Sequence, residues 1–325
     1  MKKLYLLTGV TGHLGTALLS KIMLTKADIR ALVLPKEVNM LHDQDIQVYP
    51  GDISKASDLT DFFNTEGYDQ TTLIHCAAMI SIATEYDPIL WQVNVTGTKN
   101  VLNAALENKV DRVIYVSSVD ALSPDPKGGV IKEMESFQPD EVTGQYSKSK
   151  ATAGNMALEF AQKGLNVSIV HPSTLIGPGD KLGKNHMVNT MKDMRAGKIA
   201  VSIDGGSDLV DVRDVAEGIM LCEAKGRSGQ SYILSGEYIT IKDLLNMIRS
   251  FDGKKPINFK VPHFLIKALV PVIEWVTLKF TKKKPVFTPF SIEVLKAEKH
   301  YSHEKASQEL GYAPRPLAEA VRESL

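Results

Sequence analysis

Tyr146 and Lys150, four residues apart in Gln145-Tyr146-Ser147-Lys148-Ser149-Lys150, are of the right types for proton exchange. On a helix such a pair shares a face, with Cβ atoms about 5–6 Å apart. A phenol titrates near 10 when unperturbed. An ammonium beside it favours the phenolate, so the tyrosine can exchange a proton at physiological pH. The lysine can also bind the ribose of a cofactor and fix cofactor and acid together. Tyr-x-x-x-Lys alone is common by chance. It gains weight from Ser117-Ser118, which end a predicted strand upstream, and from the small and apolar run Ala151–Phe160. Strand C-termini face the ligand crevice in open α/β sheets, where a hydroxyl can hydrogen-bond a substrate oxygen as hydride moves. Ser123–Thr143, with three prolines and two glycines, leaves room for a substrate loop.

The partner chemistry lies at the other end of the domain. Thr8-Gly9-Val10-Thr11-Gly12-His13-Leu14-Gly15 follows the first predicted strand and opens the first helix. Gly9 permits a tight turn, Gly12 lets backbone approach a pyrophosphate, and Gly15 lets helix and strand pack closely. The helix N-terminus, through Thr11, His13 and Leu14, offers free N–H groups and a partial positive charge. A strand–glycine turn–helix at the start of a βαβ rhythm is the context that a dinucleotide requires. The second strand runs out as Ala31-Leu32-Val33-Leu34-Pro35-Lys36-Glu37, with no Asp at its tip. An acidic tip would bind the ribose 2′-hydroxyl and repel a 2′-phosphate. Lys36 is placed to pair with a phosphate, with Arg30 nearby, and Glu37 is the counter-argument. NADP(H) is favoured, with NAD(H) the alternative.

TGVTGHLG as a whole resembles the opening of the extended short-chain dehydrogenase/reductase superfamily, the NAD-dependent epimerase/dehydratase family. The dihydroflavonol-reductase-like and 3β-hydroxysteroid-dehydrogenase-like enzymes match best, with sugar-nucleotide epimerases close behind. The resemblance extends through Gly51-Asp52-Ile53, TLIHCAA at Thr72–Ala78, Asn94 in NVTGTKNVLNAA, His171–Gly179, Val210–Ala216, Tyr232–Gly236 and Lys305–Tyr312. It implies that the catalytic serine is Ser118, the second of its pair, with Ser117 supporting the turn and the cofactor. It implies that Asp52 and Ile53 contact the adenine and that Ala77 and Ala78 pass beside the cofactor. Asn94 would support the active-site geometry, and Pro172, Ser173 and Thr174 would line the nicotinamide. The family more often has Arg where His171 stands, and His171 is given no catalytic role. His75 reads as a packed strand residue. The flavonoid reductases carry an Asn where this chain has Ser123. The resemblance also implies a homodimer through the helices at 87–108 and 143–163.

Behind these residues, short unbroken apolar runs alternate with helical stretches. Strands are expected at Lys3–Thr8, Ile29–Leu34, Ile46–Tyr49, Thr72–Cys76, Arg112–Ser117 and Asn166–Val170. Helices are expected at Gly12–Thr25, Lys55–Asn64, Asp87–Asn108 and Thr143–Lys163. Unbroken runs suit strands covered on both faces. The fold class is α/β: a Rossmann-type doubly wound parallel sheet with a smaller, mainly helical C-terminal substrate domain. Residues 1–175 form the dinucleotide-binding domain, with later contributions near 199–235, and 176–325 the mainly substrate-binding region. In that second part, strands are expected at Ile199–Ile203 and Ser231–Leu234 and helices at Val212–Ala224 and Ile241–Phe251, with turns at Gly177-Pro178-Gly179 and Gly205-Gly206.

Composition narrows the reading. The 325 residues carry 38 basic and 38 acidic side chains, so no basic excess points to nucleic acid. Cys76 and Cys222 are the only cysteines, which excludes a disulfide scaffold. No CxxC pair or HExxH suggests a metal site. No run is long and apolar enough to span a membrane. Met1–Leu7 is too short for a secretory signal, and a cytoplasmic address is expected. Pro262–Thr281 followed by Lys282–Lys284 reads as a helix covering the crevice, the rival reading being an interfacial membrane helix. Met187, Met191 and Met194, at helical spacing, read as packing. The substrate-side stretch Met79–Ala83 is apolar. The leading reading is an NAD(P)-dependent oxidoreductase that reduces a ketone or aldehyde of a small, moderately hydrophobic substrate. The alternatives are a nucleotide-sugar epimerase or dehydratase with bound NAD, its diphosphate met by Arg195, Lys198 and Arg213, and a non-catalytic dinucleotide-binding sensor.

Overall fold

A computed structural model describes residues 1–41, 44–81, 86–125, 128–199, 202, 204–257 and 298–325. The expected helix at 262–281 and its lysine run lie outside these residues, as do Ile82 and Ala83. Among the described residues, no helix is long and apolar enough to cross a membrane.

Seven strands form one parallel sheet in the order β3-β2-β1-β4-β5-β6-β9. They are β1 (Lys3–Thr8), β2 (Asp28–Val33), β3 (Gln47–Pro50), β4 (Gln70–His75), β5 (Arg112–Val116), β6 (Val167–Pro172) and β9 (Ser231–Leu234). Every run except the edge strand β3, which is half-exposed, is buried on both faces, and the pleat sends alternate residues to opposite cores. Leu4, Leu6, Leu73 and Val113 face one way, toward α3 (Thr98–Glu107) and α4 (Gln145–Gln162). Tyr5, Leu7, Ile74 and Ile114 face the other, toward α1 (His13–Ile22), α6 (Val212–Lys225) and α8 (Glu304–Leu310). The expected doubly wound sheet is therefore present.

A smaller sheet, in the order β10-β8-β7, joins β7 (Thr174–Ile176), β8 (Gly206–Asp211) and β10 (Glu237–Thr240). It packs with α5 (His186–Arg195), α7 (Ile241–Phe251) and α9 (Leu317–Glu323) around Ile176, Met191, Met194, Leu209 and Leu245. The methionines are packing residues there, as their spacing suggests. This sheet departs from the sequence reading. The expected strand at 199–203 lies largely outside the described residues, because 200, 201 and 203 are not among them. Gly206 starts a strand instead of finishing a turn: a Cβ there would fall 2.6 Å from the Tyr238 hydroxyl on β10, so a glycine lets the two strands close. The two short strands β7 and β10 were not foreseen.

Two helices also differ. The stretch 55–64 holds one 3-10 turn, Ala56–Leu59, followed by turns that sink Phe62 and Phe63 into the core. The long helix expected from Asp87 begins as α2 (Pro88–Trp91), with the Asp87 carboxylate accepting from the Ile89 N–H at 2.9 Å and proline at the first turn. It then widens into a π turn at Gln92–Gly97 before continuing as α3. A π turn inside a helix frequently marks a functional site.

The glycine turn makes a sharp prediction. A Cβ at Gly15 would lie 2.2 Å from the Gly9 carbonyl oxygen, whereas one at Gly12 would meet that oxygen at 3.4 Å. Gly15→Ala should lower stability by about 1–3 kcal/mol, read as a fall in the denaturant midpoint. Gly12→Ala should leave the midpoint near wild type while weakening dinucleotide binding.

Candidate active site

The C-terminal ends of β1, β4, β5 and β6 converge on one edge of the large sheet. At β1, Gly9 turns the chain with φ 71°, a conformation that favours glycine. A Cβ there would also sit 2.6 Å from the Ala77 nitrogen. Gly12 caps α1 with extended backbone and no side-chain cap, which leaves the first-turn N–H groups to a ligand. His13 faces the smaller sheet: its Nε2 lies 2.9 Å from the Pro178 carbonyl oxygen and its Nδ1 2.9 Å from Asn185 Nδ2. Leu14 is buried under the turn. An uncapped helix end, a cradle free of side chains and the small Ala77 and Ala78 beside it fit a dinucleotide.

The groups expected to read the ribose divide. Lys36 is exposed. Glu37 instead turns back to the glycine turn and accepts from the Thr11 hydroxyl at 2.8 Å. Arg30 is not at the site. It donates to Gln47 Oε1 at 2.9 Å and to the Asn64 carbonyl, between the rings of Tyr49 and Tyr68. Asp52 accepts from the Ser54 N–H at 2.9 Å, and Ile53 is buried against Gly97.

Tyr146 and Lys150 lie on the first turns of α4, and Ser118 follows β5. Lys150 is buried, and its Nζ donates to the Val116 carbonyl at 2.7 Å, 4.7 Å above the Tyr115 ring. Burial pulls its proton affinity down to about 7. Tyr146 moves upward, because of burial and then the nearby Asp120 carboxylate, with only the Ser118 hydroxyl opposing. Burial disfavours the charged lysine as well as the phenolate, and the Asp120 carboxylate opposes the phenolate further.

Supporting groups hold this arrangement. Asn94, on the π turn, accepts from the Met79 N–H at 2.8 Å and donates to the Met79 carbonyl at 2.9 Å and Ser149 Oγ at 3.0 Å. Ser149 donates to the Tyr146 carbonyl at 2.7 Å. The loop before α4 docks through Asn155, which exchanges two bonds with Phe137 backbone at 2.9 and 2.8 Å. Ser117 is buried, and its N–H donates to the Val170 carbonyl at 2.8 Å. His171 donates from Nδ1 to the Ser118 carbonyl at 3.0 Å. Pro172 ends β6, Ser173 is buried beyond it, and Thr174 pairs with Ser207 at 2.8 Å on β7. His75 is the packed strand residue expected, bonded to Thr8 at 2.7 Å and Thr98 at 3.1 Å.

Sequence reasoning missed Asp120 and Tyr301. Asp120 was legible as an acidic residue two places beyond Ser118. Tyr301 was not, because a bridge to Ile131 brings it in from the far end of the chain.

A model of the NAD dependent epimerase/dehydratase family matches residues 5–235. Sterol demethylase protein B of Methylococcus capsulatus is 28% identical, covering 95% of this chain and 93% of that protein. A putative dihydroflavonol 4-reductase of Synechocystis is 29% identical, covering 100% and 94%. The crystal structure of gox2253 superposes with a TM-score of 0.81 at 31% identity, covering 99% and 96%.

The two buried histidines set a pH dependence. Burial holds His75 at about 3 and His171 at about 4, against an ordinary value of 6.5. Both are neutral in the fold and charged in the unfolded chain between these limits, so stability falls as pH drops below 6.5 and the loss is complete near 3 to 4. Denaturant titrations across that range should lose roughly a few kcal/mol. His171→Asn should flatten the slope.

Proposed function

The chain belongs to the NAD dependent epimerase/dehydratase family and is an NAD(P)-dependent oxidoreductase, and we propose that it interconverts a ketone or aldehyde with its alcohol on a small, moderately hydrophobic substrate. The observation that carries this reading is the buried Lys150, held by the Val116 carbonyl next to Tyr146 and Ser118. Bound at the glycine turn, the dinucleotide supplies or accepts hydride. Ser118 donates to the substrate oxygen and Tyr146 gives it the proton in reduction. Lys150 holds the ribose and, once charged, assists the phenol. Asn94 and Ser149 fix the turn of α4 on which Tyr146 rides.

Two observations refine the reading. A 2′-phosphate arriving at the Thr11–Glu37 bond would meet a carboxylate, and this supports NAD(H) over the NADP(H) that Lys36 suggested. The cations that a nucleotide sugar would need are already paired: Arg195 with Asp252, Lys198 with Asp193, and Arg213 with Asp211 and Glu323. That favours a substrate without a diphosphate over a sugar nucleotide. Relatives named as a sterol-4-alpha-carboxylate 3-dehydrogenase and a 3-beta-hydroxysteroid dehydrogenase agree with a hydrophobic alcohol or ketone. The outer faces of α3 and α4 leave a groove of about 370 Å³ lined by Asn103, Met156 and Phe160. We assign it to a homodimer contact.

Fluorescence titration should show tighter binding of NADH than of NADPH. Glu37→Gln should erase about 10- to 100-fold of that preference, the scale of one hydrogen bond to a charged group. In a carbonyl panel, Tyr146→Phe should lower kcat by about 10²- to 10⁴-fold without weakening cofactor binding. Equal affinity for both cofactors in the wild type would overturn the NAD(H) assignment. Full activity in Tyr146→Phe would overturn the mechanism.

A further inference from the structure

The ladder between β5 and β6 stops just before the candidate serine. The Val113 N–H donates to the Asn166 carbonyl at 2.8 Å, and four residues further along each strand the Ser117 N–H donates to the Val170 carbonyl at 2.8 Å. The next bond of a parallel ladder would run from the N–H of residue 172 to the Ser117 carbonyl. Residue 172 is a proline and has no N–H to give. The backbone of β6 therefore has no hold on the chain beyond Ser117. Ser118 leaves with extended backbone, φ −157° and ψ 153°, and opens the 3-10 turn Val119–Ala121.

The His171 side chain takes up that hold. Its Nδ1 lies 3.0 Å from the Ser118 carbonyl oxygen. A carbonyl can only accept, so Nδ1 carries the proton and donates it. The same carbonyl accepts from the Ala121 N–H at 3.1 Å. The Ser118 Oγ accepts from the Asp120 N–H at 3.2 Å and faces Asp120 Oδ2 at 3.3 Å. Two donors on the carbonyl fix the peptide plane after Ser118, and the bond to Oγ fixes its side chain. The imidazole is wholly buried, with its ring against Phe137 at 5.2 Å between centroids. Among the described residues, its Nε2 has no hydrogen-bond partner. A leucine would fill the same place without burying an unpaired nitrogen. Packing alone thus does not account for an imidazole here.

We propose that His171 is a positioning residue for Ser118: its side chain stands in for the ladder bond that Pro172 cannot give, and so holds the Ser118 hydroxyl where a substrate oxygen meets it. The inference rests on the oxidoreductase reading above, in which Ser118 donates to that oxygen. His171 touches no reacting atom and acts through Ser118. Without the Nδ1 bond, the Ser118 carbonyl keeps only the Ala121 donor, which belongs to the same 3-10 turn. Serine and turn are then free to shift together against β6. What is lost is alignment in the reacting complex, which lowers kcat and leaves dinucleotide affinity unchanged.

The test has one readout without turnover and one with it. In the full-length protein labelled with 15N in histidine and 13C in serine, NMR should find the His171 proton on Nδ1. The Ser118 carbonyl signal, identified by Ser118→Ala, should move in His171→Leu and return toward wild type in His171→Asn, whose amide N–H lies where Nδ1 does. With a substrate from the carbonyl panel, His171→Leu should lower kcat by about 10-fold, the scale of one lost hydrogen bond, with NADH affinity unchanged. His171→Gln places its amide at the Nε2 position and should lose as much; it answers the question if the leucine variant does not fold. His171→Asn should recover most of the rate. In the Ser118→Ala background, His171→Leu should cost nothing further, because the serine that it positions is gone. A merely structural role would lower both backgrounds by the same factor. A proton on Nε2, an unchanged kcat in His171→Leu, equal losses in the two backgrounds, or an asparagine variant as slow as the leucine one would each overturn the proposal. If the wild type turned over no carbonyl, the oxidoreductase reading would fall, and the hold on Ser118 would still be judged by its carbonyl signal.

Discussion

Lys150 reaches the Val116 carbonyl at 2.7 Å inside a layer closed to water, and the positions of several elements follow from that bond. It fixes α4 against the end of β5, which in turn sets where Tyr146 stands relative to Ser118. The ring of Tyr115 lies beneath the ammonium, and His75 stacks on that ring at 5.8 Å. His75 is tied to Thr8 on β1 and to Thr98 on α3. A chain of buried polar contacts thus runs from the glycine turn to the candidate triad. Each of its members would be costly if left unpaired at this depth.

The large sheet was legible because parallel strands buried on both faces write themselves as unbroken apolar runs, as in Leu4–Leu7 and Val113–Val116. The glycine turn was legible because its three roles need three glycines at fixed places. The smaller sheet was not. Thr174–Ile176 and Glu237–Thr240 are too short to carry a period, and Gly206 looks like a turn until Tyr238 is seen packing on it. The candidate residues could be named one by one from the sequence, but their surroundings could not. Spacing puts Tyr146 and Lys150 on one face, and says nothing of how much water reaches the lysine or of a carboxylate folded back by a 3-10 turn. Glu37 and Lys36 make the same point: adjacent in sequence, one turns to Thr11 and the other to solvent.

The region beyond β6 is shaped as much by ion pairing as by apolar surface. Arg213 and Arg315 gather Asp211, Asp214, Glu319 and Glu323 into one network that ties α9 to the start of α6. Asp211 caps α6 while its carboxylate is wholly enclosed. Charges committed in this way hold the end of the chain in place and are not free to bind a ligand.

The π turn at Gln92–Gly97 has a consequence for how this chain tolerates change in length. A π turn is an α-helix carrying an extra residue. Upstream of it, Trp91 donates to Gln145 Oε1 at 2.8 Å; downstream, Val101, Leu102 and Ala105 fill the core. In a regular α-helix, each residue advances the azimuth by about 100°. Without the insertion, the two halves would fall out of phase by that angle, and either Trp91 and Asn94 or the core triplet would swing off its partners. Six residues thus act as a phase adjuster between a helix face selected for packing and one selected for holding α4. Substitutions on its outer side leave that phase untouched, whereas a one-residue deletion sets the core and the site against each other.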